Sequence, residues 1–253
     1  MTINNFVEFL NFADFSYMRV VSNAIDLPPV AEYDYIVIGG GTAGCPLAAT
    51  LSRDHSVLVL ERGATPPAYP SVLRADQFRA NLARRDDGLS PVEPFTSLDG
   101  VANARGRILG GSSMINAGFY SRAEGEFYAK SGVNWDLALV EEAYRWVEEA
   151  IVHRSDALPW QSVVRDALLE AGVAPENGFT VEHAVGTKLS GSTFDGMGRR
   201  HGAVELLNRG DFGKLRVAVR ASVERILFSH RISGTAFFVF FSFESTIYFV
   251  VLC

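Results

Sequence analysis

Short, continuous apolar runs alternate with helical stripes along this chain. Residues 35–38 (YIVI) and 57–60 (VLVL) are unbroken and rich in β-branched side chains, the pattern of strands buried on both faces of a parallel sheet. Between them, residues 47–52 read as a helix. Pro46 is tolerated in its first turn, where the missing N–H would have no intrahelical partner. Leu137, Val140, Tyr144, Val147 and Ile151 recur at spacings of three and four, which predicts an amphipathic helix with its stripe packed in a core. Glu141, Glu142, Glu148 and Glu149 fall mostly on its solvated side. Residues 160–171 predict a second helix, stopped by Gly172 just past its end. Residues 215–219 and 223–227 read as further strands. Strands alternating with helices make this an α/β chain.

The glycines between the first strand and the first helix carry the candidate chemistry. Gly39, Gly41 and Gly44 stand in a G-x-G-x-x-G pattern, and the second strand ends in Glu61, 22 residues after Gly39. Gly39 would allow the tight turn, Gly41 the close approach of a pyrophosphate, and Gly44 the packing of helix on strand. The helix N-terminus would face the phosphates with free N–H groups. Glu61 is placed to accept hydrogen bonds from a ribose 2′-hydroxyl. With strand, turn, helix, strand and acid in order, the pattern predicts a bound dinucleotide rather than a purely structural turn. It does not choose between FAD and NAD, because both use such a turn. Residues 106–118 (GRILGGSSMINAG) form a second cluster, too rich in Gly and Ser for a core helix. Its backbone could lie against a flat ring or a phosphate, and an ordinary irregular loop is the equal alternative.

Composition narrows the function. The chain has 253 residues, enough for one large domain or two modest ones, and 23 Lys and Arg against 29 Asp and Glu give a net charge of −6. That leaves no electrostatic footprint for nucleic acid. Two cysteines, Cys45 and Cys253, exclude a disulfide framework, and five scattered histidines make no metal cluster. His55 reads as a surface residue, His153 as a cation at a helix end, and His183 and His201 as structural, so none is assigned as a catalytic base. Residues 1–10 lack the basic start and long apolar core of a secretory signal.

Residues 34–44, 58–63 (LVLERG) and 106–122 (GRILGGSSMINAGFYSR) together resemble the glucose–methanol–choline (GMC) flavoprotein family, and within it the plant FAD-containing (R)-mandelonitrile lyases. Residues 14–17, 86–93, 159–162, 191–195 and 221–224 add to a likeness that covers residues 12–229. Plant long-chain ω-hydroxy acid dehydrogenases share most of these stretches. The resemblance implies FAD as cofactor and a Rossmann-like FAD-binding domain over residues 31–134. It implies the start of a substrate-binding domain over 135–195 and a return to the FAD domain over 200–229. Thr42 and Ala43 would lie at the pyrophosphate turn, Glu61 and Arg62 at the adenosine ribose, and Ile108 and Ser112 against the cofactor. Asn116, Ala117, Gly118 and Phe119 would run along its pyrophosphate and ring, and Val223 would meet the adenine through its backbone. The substrate would be a small molecule, a cyanohydrin or an alcohol. In the family the catalytic histidine comes from the C-terminal half, so the resemblance implies a C-terminally truncated chain without its catalytic base.

Residues 230–253 match nothing expected there. Six of the 18 Phe fall between Phe237 and Phe249, and residues 235–253 carry a single charge, Glu244. The stretch has the length of a membrane span, but Glu244 sits mid-span, Ser and Thr interrupt it and no basic residue follows, so a membrane helix is not expected. A strand at 223–227 with an open edge, beside the low-charge window FFVFFSF (237–243), predicts pairing between molecules rather than within one.

Overall fold

The computed structural model describes residues 14–27, 32–228, 236–243 and 246–252. The chain divides into two compact units, one of residues 1–73, 77–115 and 202–253, the other of residues 74–76 and 116–201. The first unit begins with β1 (Val21–Asn23), β2 (Glu32–Tyr33), β3 (Tyr35–Ile38), the helix α1 (Gly44–Leu51) and β4 (Val57–Glu61). A short helix, α2 (Phe78–Leu82), precedes the antiparallel pair β5 (Val92–Thr96) and β6 (Ala102–Gly106). The second unit holds β7 (Phe119–Tyr120), α3 (Gly125–Lys130), α4 (Leu137–Ile151), β8 (His153–Arg154) and α5 (Pro159–Glu170). Its last strands are β9 (Glu176–Phe179), β10 (Thr187–Leu189) and β11 (Gly191–Ser192). The chain then returns to the first unit with β12 (Leu215–Val219), β13 (Ser222–Phe228), β14 (Ala236–Phe243) and β15 (Thr246–Leu252).

A parallel sheet of order β1–β12–β4–β3 organises the first unit, with Val59 opposite both Val37 and Val217. All five residues of β4 are buried, as its unbroken apolar run predicts. Successive side chains point to opposite faces. Leu58 and Leu60 therefore share one cluster with Ala24, Ala218 and Ala221, while Val57 and Val59 turn to the other face. β3 departs from the expected burial. Val37 alone is buried and Ile36 is half-buried against the Leu58–Leu60 cluster, with Tyr35 40% and Ile38 46% exposed, because among the described residues β3 pairs on one side alone. α1 starts at Gly44, three residues before its apolar signal, once the Cys45 N–H donates to Gly41 O at 3.1 Å.

The second unit is tied by one arginine. Arg122 donates through Nε and Nη2 to the two carboxylate oxygens of Glu148 at 2.6 and 2.8 Å, and through Nη1 to Glu141 and Glu182, both at 2.9 Å. The Tyr120 hydroxyl also donates to Glu148, at 2.9 Å. Glu148 is thus an anchor and not a solvated residue, which helical spacing alone does not reveal. α4 spans the predicted residues, but its stripe is only half-buried: Ile151 is covered, whereas Leu137 is 60% exposed. α5 ends as predicted, with Gly172 at φ +87 and its N–H bonded to Leu169 O at 3.0 Å. Residues 116–134 fall in this unit rather than with the FAD domain expected over 31–134, since β7 pairs with β11 and Arg122 binds α4. His153 is not a helix-end cation. Its ring lies half-buried 4.3 Å from that of His201, and burial lowers its pKa so that it stays neutral.

The described residues of the tail, 236–243 and 246–252, form strands, and no helix among the described residues is long and apolar enough to cross a membrane. β14 runs antiparallel to β13 from Ser222 opposite Ser242 to Phe228 opposite Ala236, β15 pairs with β14, and β2 joins β15 in parallel. The expectation that residues 237–243 would pair between molecules is therefore corrected. Edge N–H and C=O groups need partners, and a strand tethered a few residues away meets them at far higher effective concentration than another molecule does.

Removing residues 229–253 should bare the β13 edge. Chain 1–228 is expected to elute as aggregates in size exclusion with light scattering while 1–253 gives a monodisperse species, and equal behaviour of the two lengths would show that the hairpin does not protect that edge.

Candidate functional site

A cavity of about 820 Å³ in the first unit is lined by β3, by the turn of residues 39–44, and by Glu61 and Arg62 at the carboxyl end of β4. The carboxyl end of a parallel strand is where open α/β sheets bind ligands. Gly39 leaves β3 with its N–H bonded to Leu60 O at 2.8 Å and turns at φ +93. Gly44 has to be glycine, since a Cβ there would lie 1.9 Å from Gly39 O. No side chain caps α1; the Cys45 N–H is taken by Gly41 O and Pro46 has none, so the N–H groups that face the cavity are those of residues 42–44 at the turn and helix start. Cys45, just inside, is fully buried, and burial pushes its thiol pKa up, so it is inert.

The second glycine cluster packs directly on this turn. Gly110 N–H donates to Gly40 O at 2.6 Å and Leu109 N–H to Ala64 O at 2.9 Å. Gly111, at φ +60, lies so close that a Cβ on it would stand 2.7 Å from Gly41 Cα. Ser112 lines the cavity with its Oγ accepting from Gly106 N–H at 3.0 Å, leaving the hydroxyl hydrogen to donate.

Glu61 is 5% exposed and spans the turn. One carboxylate oxygen accepts from Gly40 N–H at 2.9 Å, the other from Gly63 N–H at 2.7 Å. Burial raises its pKa above the ordinary value of 4.5, outweighing the Gly63 and Gly40 N–H groups and Arg62, which lower it. Arg62 is ion-paired with Glu93 on β5. Each Glu61 oxygen keeps a second lone pair for a ligand hydroxyl, so the acid both braces the turn and faces the cavity.

Of the residues expected from sequence, Gly39, Gly41, Thr42, Ala43, Gly44, Glu61, Arg62, Ser112 and Val223 line this one cavity. Ile108 does not. It is fully buried in a bridge with Ala64, because its apolar side chain belongs to the core beneath the glycine cluster. Asn116, Ala117, Gly118 and Phe119 belong to the second unit. There the Asn116 side-chain oxygen accepts from Gly118 N–H at 3.0 Å and from Arg200 at 2.8 Å, and Phe119 is 85% exposed. Gly106, Gly111, Ala221 and Ser222 line the cavity without having been singled out. Their signal was their place beside Ser112 and Val223 in chain.

A family model described as GMC oxidoreductase matches residues 33–245. The chain belongs to the GMC oxidoreductase family. The match runs past residue 229, where the likeness was expected to end, and takes in β14. The chain is 56% identical to (R)-mandelonitrile lyase 1 of Prunus serotina, over 88% of this chain and 40% of that protein. It is also 56% identical to a sinalpyl alcohol oxidase of Nesocodon mauritianus, over 86% of this chain and 39% of that protein. The chain spans about two fifths of the length of the curated relatives it matches. The formate oxidase of Aspergillus oryzae superposes with a TM-score of 0.67 over 89% of this chain and 45% of its own, at 16% identity, a likeness of fold alone.

GMC oxidoreductases take FAD, and FAD is the cofactor. The cavity suits it. Its wall at the turn is bare backbone: a Cβ on Gly39 would meet nothing within 4 Å, and one on Gly41 only Gly111 Cα at 3.8 Å. Carbonyl-free N–H groups, a buried carboxyl, an arginine and a serine hydroxyl are the donor and acceptor set that a diphosphate and a ribose need.

Glu61 also makes stability depend on pH. A carboxyl with a higher pKa folded than unfolded favours folding most below the unfolded value, and that contribution is lost as pH rises through the folded one. Relative to Glu61→Gln, the wild-type chain without added flavin should lose stability as pH rises from about 4.5. Urea unfolding of both proteins across a pH series measures this, and parallel pH profiles would contradict the burial argument.

Proposed function

We propose that the first unit is the FAD-binding part, and the second the beginning of the substrate-binding part, of a protein like the (R)-mandelonitrile lyases. The observation that carries the cofactor reading is the single cavity lined by nine of the residues expected to hold FAD. When bound, FAD in such a lyase serves as a structural group, and in an alcohol oxidoreductase it accepts a hydride. This chain's own residues bind and orient: N–H groups of residues 42–44 receive the diphosphate, Glu61 accepts from a ribose hydroxyl, and Ser112 donates to the cofactor.

Turnover by this chain alone is not part of the proposal. Cyanohydrin cleavage needs a neutral base near the substrate hydroxyl and an electropositive place for cyanide. The cavity lining holds no histidine, lysine or aspartate among the described residues, and its carboxyl, Glu61, is braced by two backbone N–H groups. The second reading, alcohol oxidation, is supported by the sinalpyl alcohol oxidase, as similar to this chain as the lyase is.

FAD titration of the purified chain tests the reading. Gly41→Val, whose side chain would fill the cradle without meeting the packed interior, should abolish binding while leaving the melting transition in place. Glu61→Ala should weaken FAD retention by about 1–3 kcal/mol through lost charge-assisted hydrogen bonds. Binding unaffected by either change would reject the site. The chain alone should release no cyanide from mandelonitrile and oxidise no alcohol. Fused to the C-terminal part of the Prunus serotina lyase, it should gain one activity: cyanide release speaks for the lyase, flavin bleaching by an alcohol for the oxidase.

A further inference from the structure

Glu93 has no assigned part in the site, yet it holds one of the cavity's charged side chains. It sits on β5 directly opposite Arg105 on β6, and Arg105 donates to its Oε1 at 2.6 Å. Its Oε2 is ion-paired with Arg62 and lies 3.6 Å from Arg107. Arg107 is in turn held by Asp86 through two hydrogen bonds of 2.9 Å. Three guanidiniums thus surround two carboxylates, leaving one net positive charge beside the cavity wall.

The Glu93 side chain is 17% exposed and that of Arg62 38%. An arginine this open samples many rotamers unless something fixes it, and fixing it in advance reduces what a ligand must order on binding. Glu93 supplies the fix at any physiological pH, because Arg105, then Arg62, hold its carboxyl down at about 2. Arg62 follows Glu61 directly in chain, and both line the cavity at the end of β4.

We propose that Glu93 is a positioning residue for the adenosine end of the cofactor. It holds Arg62 against the cavity wall beside Glu61 and so sets a preference for the dinucleotide FAD over FMN, which lacks the adenosine. The inference rests on the cofactor reading above. It adds a residue from the β5–β6 pair, outside the two glycine segments, and gives it a role in selectivity rather than in retention of flavin at large.

The test is a set of equilibrium titrations of the whole 253-residue chain with FAD, ADP and FMN. Glu93→Gln should weaken FAD and ADP about tenfold while FMN changes by less than about twofold. Arg62→Gln should give the same loss, and the double variant no more than either single one, since both act through one contact. Equal weakening of FAD and FMN would mark Glu93 as merely structural and overturn the proposal, as would additive losses in the double variant. If Glu93→Gln does not fold, Arg62→Gln with Arg105→Gln decides. Both should lower FAD and ADP affinity selectively, Arg105→Gln by the smaller factor, and unchanged selectivity in both overturns the inference. A wild-type chain that takes up neither FAD nor ADP would sink the cofactor reading itself. FAD uptake with variants indistinguishable from wild type would sink only the role of Glu93.

Discussion

The cavity exists because two glycine segments lie backbone against backbone. Gly110 N–H reaches Gly40 O at 2.6 Å, and neither Gly44 nor Gly111 has room for a Cβ. Side chains at these positions would push the turn of residues 39–44 off the second cluster and α1 off β3. Their absence leaves a wall of open peptide N–H groups, which is what a diphosphate requires and what side chains supply less compactly. The parallel sheet beneath sets the turn's height, through the burial of all five β4 residues and the Gly39 N–H bond to Leu60 O.

Two glutamates near that wall are driven in opposite directions by their surroundings. Glu61 has two backbone N–H donors but is almost wholly out of water, and burial wins, so its pKa rises. Glu93 is also largely covered, yet the guanidiniums of Arg105 and Arg62 reach it, and they outweigh burial, holding it at about 2. A full positive partner within hydrogen-bond distance outweighs desolvation where peptide dipoles do not. The outcome divides the labour: Glu61 is an acceptor inside the turn, braced by two backbone N–H groups, and Glu93 an anion that orders arginines.

The second unit repeats the theme with one cation at its centre. Arg122 gathers Glu148, Glu141 and Glu182 and lies over the Tyr144 ring, tying β7 to α4. Bidentate pairing with a covered carboxylate gives both energy and geometry. Removing Glu148 would leave that arginine largely out of water with fewer partners, a costlier change than losing a surface ion pair.

Local order was legible in the sequence wherever it depends on neighbours in chain. The strand, glycine turn, helix and acid of residues 35–61 were readable, as were α4, the Gly172 stop of α5, and β12, because period, turn chemistry and caps are set within a few residues. Nine residues of the cavity lining followed from the same motif and from the family resemblance. What remained hidden depends on partners distant in sequence. Glu148 looks solvated until Arg122, 26 residues away, is brought to it. Ile108 is fully buried outside the cavity lining, which its neighbours in chain do not reveal, and β3 looks buried until its pairing is known. The tail looks like an aggregating window until β13 offers it an edge. Periodicity states that an apolar or charged side chain needs a partner; only the folded chain decides which one reaches it.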